Sequence, residues 1–150
     1  MASENKAIVR RLYEEVWNKR KVELLDALIS PSHALHLQDP QLSPSQIGPE
    51  GYKREVARFV AGFPDLRFTV EDMLAEDDKV AVSWIISGTH KGEFWGIPPT
   101  GKRMSLEGIT IHHLASGKIM DSDISWDALG MMQQLGVVPA IGQPKGTAAR

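Results

Sequence analysis

The feature that most constrains this chain is a change of apolar period near residue 64. Before it, apolar residues recur at three- and four-residue steps; after it, they alternate. Ile8, Val9, Leu12, Tyr13, Val16 and Trp17 form one stripe, which predicts a helix from an N-cap at Ser3 to about Asn18. Val22, Leu24, Leu25 and Leu28 predict a second, shorter helix, stopped by Ser30, Pro31 and Ser32. Residues 33–40 alternate as a short strand ended by Pro40, and 41–50 read as a loop. A third helix opens near Pro49 and presents Tyr52, Val56, Phe59, Val60 and then Phe63. From there the spacing predicts strands over 66–74, 79–87, 102–114 and 119–126, with tight turns at 75–78 and 115–118. Asp127 to Leu135 reads as a short terminal helix with Gly136 at its end.

Helices first and strands afterwards argue an α+β domain, not a βαβ repeat. One domain over 1–138 and a loose tail over 139–150, rich in Gly, Pro and small residues, account for the length. Apolar residues in "VAVSWII" fall on both strand parities, so both sheet faces are expected to be covered, the outer one by a second copy of the chain. The net charge of -2 and the interleaving of Arg10, Arg11, Lys19, Arg20 and Lys21 with Glu14 and Glu15 give no footprint for nucleic acid. There is no cysteine, which excludes disulfides and thiolate chemistry. No apolar run approaches the ~18 residues a membrane span needs, and the N-terminus lacks the apolar core of a signal peptide. A cytoplasmic protein without membrane contact is the expectation.

Residues 88–102, "GTHKGEFWGIPPTGK", hold four glycines, two adjacent prolines and two aromatics. With "GPEGYKREVARFVAGFPDLRFTVEDMLAEDDKVAV", "SGKIMDSDISWD" and "ALGMMQQLG", this stretch resembles the nuclear-transport-factor-like cone, and within it the SnoaL-like polyketide cyclase or ester cyclase group. The resemblance implies a curved antiparallel sheet of four to five strands wrapped around three N-terminal helices and one deep pocket. It places 88–102 at the rim, with Phe94, Trp95 and Ile97 either as an apolar lip or as a rigid plug.

It also implies cofactor-free acid–base chemistry of secondary metabolism. A carboxylate removes a proton beside a carbonyl, the enolate closes on a second carbonyl, and one or two donors steady the oxyanion. Counted from the Gly117–Lys118 turn, the family's base position falls on Ile124 and a related histidine position on Thr110, so the acid–base candidates are the neighbours Asp123 and His112, with His90 and Asp127. Asp121 reads as a solvated strand end, and Asp127 also reads as a helix cap. Tyr13, Trp17, His36, Phe59, Trp84, Phe94, Trp95, Thr110 and Ile124 are the candidate pocket lining for a small apolar molecule. The five histidines show no metal-ligand spacing, so neither metal nor cofactor is expected. Two other functions of the same fold stay open: a ligand-binding protein without turnover, and an epoxide-opening hydrolase, for which Arg67 and Arg103 are the only strand arginines.

Overall fold

The computed structural model describes residues 2–37, 46–139 and 142. Helix α1 (Ala2–Arg11) runs into a wider π-helical turn, Leu12–Trp17. A 3-10 turn (Val22–Leu24) leads into α2 (Leu25–Leu28), followed by β1 (Ile29–Leu37), β2 (Gln46–Ile47) and α3 (Gly48–Gly62). Four long strands come next: β3 (Arg67–Glu76), β4 (Lys79–Thr89), β5 (Arg103–Ala115) and β6 (Lys118–Trp126). Helix α4 (Ala128–Gln134) closes the described fold. The tail expected over 139–150 lies almost wholly outside the described residues, as do residues 41–45 of the loop expected over 41–50; the rest of that segment is not loop, because Gln46 and Ile47 pair with Leu35 and Ala34 as β2 and α3 opens at Gly48.

All strands form one sheet in the order β2-β1-β6-β5-β4-β3. The expected α+β class holds, with one correction: β1 pairs parallel to β6, so the sheet is mixed. The antiparallel expectation came from tight turns, and no turn joins β1 to β6; the chain returns to β1 only after five other elements, so no hairpin fixes the direction. β1 also begins at Ile29 and runs through Ser30, Pro31 and Ser32, the segment read as a break, because Pro31 sits near the strand's start with a register shift before Ala34. Further register shifts at Val70/Asp72 and His113/Leu114 bend the long strands around the helices.

The alternation predicted for β4 and β5 is real. One parity is buried (Val80, Val82, Trp84 and Ile86; Met104, Leu106, Thr110 and His112), and the other is half-buried or exposed. The buried set meets Leu12, Tyr13, Val16 and Trp17 from the first helix and Tyr52, Val56 and Phe59 from α3. The π turn is visible in Asn18 N–H donating to Tyr13 C=O at 3.0 Å, five residues back. Asn18 then clamps this helix to β3: its Nδ2 donates to Phe68 C=O and its Oδ1 accepts from Phe68 N–H, both at 2.8 Å. Tyr13 and Trp17 are thereby held facing the sheet. Among the described residues no helix is long and apolar enough to cross a membrane.

The glycine-rich loop is pinned rather than loose. Lys91 and Gly92 N–H both donate to Gly62 C=O at the end of α3. Phe94 and Ile97 exchange backbone hydrogen bonds around Trp95 and Gly96, which both have positive φ, 56° and 74°. That is the geometry of a type I′ turn, where asparagine and glycine are the usual residues and tryptophan is strained.

Candidate active site

The sheet and the two longer helices enclose a pocket lined by Tyr13, Trp17, Leu35, Tyr52, Glu55, Phe59, Phe68, Trp84, Ile86, Thr110, His112, Ile124 and Trp126. The space between these side chains is about 530 Å³ with the open mouth included, and about 50 Å³ when only room for water centres is counted. Its walls are aromatic and interlocked: Phe68 meets Tyr13, Trp17 and Trp84 at centroid distances of 5.2, 5.1 and 5.1 Å. Strand β5 makes room for this packing at Gly108, where a Cβ would stand 2.3 Å from the Trp84 ring.

A buried polar network closes one end. Trp84 Nε1–H donates to Thr110 Oγ1 at 2.9 Å. The Tyr13 hydroxyl lies 2.9 Å from His112 Nε2, His112 Nδ1 is 2.7 Å from Ser122 Oγ, and Ser122 Oγ is 3.1 Å from His33 Nε2. The pairing of β5 with β6 sets His112 opposite Ser122 and Thr110 opposite Ile124, so all four share the inner face. Burial keeps the network neutral. Desolvation pushes His112 down to about 3, with His33 and His113 adding to the effect. It pushes His33 down to about 4, against the pull of Asp121. Desolvation also drives both buried phenols, Tyr13 and Tyr52, far above the ordinary tyrosine value.

The pocket wall also carries a carboxylate that the sequence reading did not single out. Glu55 is buried, and Arg58 holds it with Nη2 at 2.9 and 3.1 Å and Nε at 3.2 Å. The guanidinium in turn lies over the rings of Phe59 and Phe94, at 5.0 and 5.2 Å. Tyr52, whose hydroxyl accepts from Trp17 Nε1 at 3.0 Å, sits one turn earlier on α3. The signal was present: Tyr52, Glu55, Val56 and Phe59 occupy i, i+3, i+4 and i+7, so Glu55 is a charge within the apolar stripe. Ser122 and His33 were missed because their importance comes from pairing between distant strands.

Of the sequence candidates, Tyr13, Trp17, Phe59, Trp84, Thr110, Ile124 and His112 line the pocket together. Others lie elsewhere. Asp123 is exposed, because beyond the register shift near Met120 alternation turns Ser122 and Ile124 inward. His36 is exposed for the same reason, and its neighbours His33 and Leu35 are the buried ones. Asp127 caps α4, accepting from Gly130 N–H at 2.8 Å. His90 packs on Phe63 inside the loop, its Nδ1 accepting from Thr100 N–H at 3.2 Å, and it does not line the pocket. Phe94 is buried behind the wall against Phe59 and Phe63, whereas Trp95 meets Trp126 at the rim, 5.6 Å between centroids. Arg103 pairs at 3.5 Å with Asp65 at an exposed position, away from the pocket lining. Among the described residues, the side chains spaced to hold a cation are His113, Asp121 and Asp123, within 4.8 Å of one another and outside the pocket lining.

The family model of the SnoaL-like polyketide cyclases matches residues 7–135. The chain belongs to that family. It is 30% identical over 132 residues to the aklanonic acid methyl ester cyclase DnrD of Streptomyces peucetius, covering 86% of this chain and 88% of the relative. DauD of Streptomyces sp. (strain C5), a cyclase of the same description, is 30% identical over 135 residues, covering 86% and 80%. Among solved structures, TsrD from Streptomyces laurentii superposes with a TM-score of 0.81 at 25% identity, covering 92% of this chain and 98% of that one. IdmH from Streptomyces antibioticus gives 0.75 at 31% identity, covering 88% and 98%. The family supports a cyclase role in general terms.

Proposed function

We propose that this SnoaL-like chain is a cofactor-free acid–base enzyme that closes or rearranges an apolar, carbonyl-bearing compound, with Glu55 as the proton acceptor. The observation that carries this reading is the Glu55 carboxylate, buried in an aromatic pocket whose base position, counted by family resemblance, holds Ile124. In this reading Glu55 takes a proton from the carbon beside a carbonyl, and the C–H electrons move onto the carbonyl oxygen. The enolate carbon bonds to a second carbonyl carbon, and the resulting alkoxide recovers the proton from Glu55. Hydroxyls at the polar end, Tyr13 and Thr110, are the donors available to the enolate oxygen. The aromatic walls orient the chain of carbonyls and keep water out.

Aklanonic acid methyl ester, named for the Streptomyces relatives, is the first compound to try. Glu55→Gln keeps the shape and a partner for Arg58; it is expected to lower turnover by about 10³-fold, within the range of general acid–base effects. Asp123→Asn is expected to leave turnover within about twofold, as for an exposed residue without contact to the reaction. A fully active Glu55→Gln enzyme removes Glu55 as the base. Tight ligand binding by the wild type with no turnover favours the binding-protein reading instead.

The same proposal pairs two copies through the outer sheet face, where Leu74, Ile109 and Ile111 are exposed. Ile109→Lys is expected to shift the sedimentation coefficient from dimer to monomer; a wild type that sediments as a monomer at tens of micromolar, a concentration at which a stable dimer of ~8 kcal/mol would persist, rules the pairing out.

A further inference from the structure

We infer that Ser122 and His33 are positioning residues that turn the single hydroxyl proton of Tyr13 into the pocket. The inference rests on the acid–base reading for its catalytic meaning, but the arrangement itself follows from counting donors.

A chain of hydrogen bonds reaches Tyr13 through His33 Nε2, Ser122 Oγ and the two nitrogens of His112. Its distances allow either direction, and its far end decides between them. His33 is fully buried, and its Nδ1 has no partner among the described residues. If the chain ran outward from Tyr13, that nitrogen would carry a proton: a buried orphan N–H, which is rare in folded proteins. Run inward, it leaves only an unmatched lone pair. So His33 Nε2–H donates to Ser122 Oγ. A Ser122 that accepted from both imidazoles would bury its own O–H without an acceptor among the described residues, so that proton goes to His112 Nδ1, and His112 Nε2–H donates to Tyr13 Oη. This needs both imidazoles neutral, and their burial keeps them so.

The phenol oxygen thus accepts from His112. Its own proton is not taken up by that bond, and Tyr13 lines the pocket. A donor on a phenol oxygen also polarises its O–H, which strengthens it toward a developing oxyanion. A carbonyl oxygen is the complementary ligand group.

The test reads the tautomers directly, by nitrogen NMR on protein labelled with ¹⁵N-histidine at neutral pH, with no ligand present. Both His112 and His33 are expected as Nε2–H tautomers in the wild type. Ser122→Ala and His33→Leu are expected to shift His112 away from that form, and His33→Gln, which keeps an N–H toward Ser122, to restore it. An Nδ1–H tautomer at His112 in the wild type overturns the inference, and so does a His112 signal indifferent to both Ser122→Ala and His33→Leu. With substrate, Ser122→Ala and His33→Leu are expected to lower kcat about tenfold with KM unchanged, less than the ~10²-fold of Tyr13→Phe, as befits residues acting through the donor. The expected tautomers without turnover of any carbonyl compound would leave the donor arrangement standing and remove the enzyme reading alone.

Discussion

The two faces of the β5–β6 hairpin carry opposite chemistry on adjacent residues. Inward, Thr110, His112, Ser122 and Ile124 join the buried network and the pocket wall. Outward, Ile109, Ile111, His113, Asp121 and Asp123 meet solvent wholly or in part. Outside, His113 and Asp121 pair at 2.5 Å beside water. Inside, a similar imidazole is driven toward permanent neutrality chiefly by burial. The contrast teaches that residue type says little about role on a strand, where parity assigns the surroundings. A one-residue change of register would exchange the two sets completely.

The largest expected effect comes from breaking the inner face. Trp84→Ala removes a buried ring and the donor to Thr110, and is expected to cost about 3–5 kcal/mol in urea unfolding. Ile109→Ala, on the neighbouring strand but 54% exposed, is expected to cost under about 1 kcal/mol. Comparable losses would mean that the outer face is packed as tightly as the pocket, and the contrast would fail.

Acid should weaken the inner face next. His33 and His112 have folded values of about 4 and about 3, below their ordinary 6.5, so the unfolded chain binds more protons throughout that interval. Stability therefore rises with pH across it, and falls as pH drops below 6.5. Each histidine contributes about 1.4 kcal/mol per pH unit, or about 4 kcal/mol for the pair by pH 5. His33→Gln is expected to recover about half of the loss between pH 7 and pH 5, measured by denaturant titration at each pH. If the wild type loses no stability between those values, these imidazoles are not held neutral.

Much of the fold was legible because periodicity reports which side of an element is buried. The four long strands, α3 and α4 follow from spacing and turn residues to within a residue or two. The parallel β1–β6 pair was not legible, since direction across a long connection leaves no local mark. The site was half legible for the same reason. Tyr13, Trp17, Phe59 and Trp84 declared themselves as bulky residues on apolar stripes. Asp123 misled, because counting from a family position located an acid one residue from where alternation needed it. Glu55 was overlooked as a charge on a helix, although its place on the stripe of Tyr52 and Phe59 marked it as inward. The link from His33 to His112 exists only once β1 lies beside β6, which a one-dimensional pattern cannot contain.

The smallest expected effect on stability is at the rim, where the two readings of the glycine-rich loop part. Trp95 stands at φ 56° in a turn that suits asparagine followed by glycine, and Gly96 is already in place. Its ring stacks on Phe94 and meets Trp126, which lines the pocket. Trp95→Asn relieves backbone strain of about 1–3 kcal/mol while deleting contacts of similar worth. The net change in stability is therefore expected to stay within about 1 kcal/mol. Ligand release should accelerate severalfold, measured by stopped-flow fluorescence of the remaining tryptophans, because the ring braces Trp126, which lines the pocket. A loss of several kcal/mol would show instead that Trp95 is a structural plug. The strain at its φ would then be the cost of packing, with no bearing on how a ligand enters.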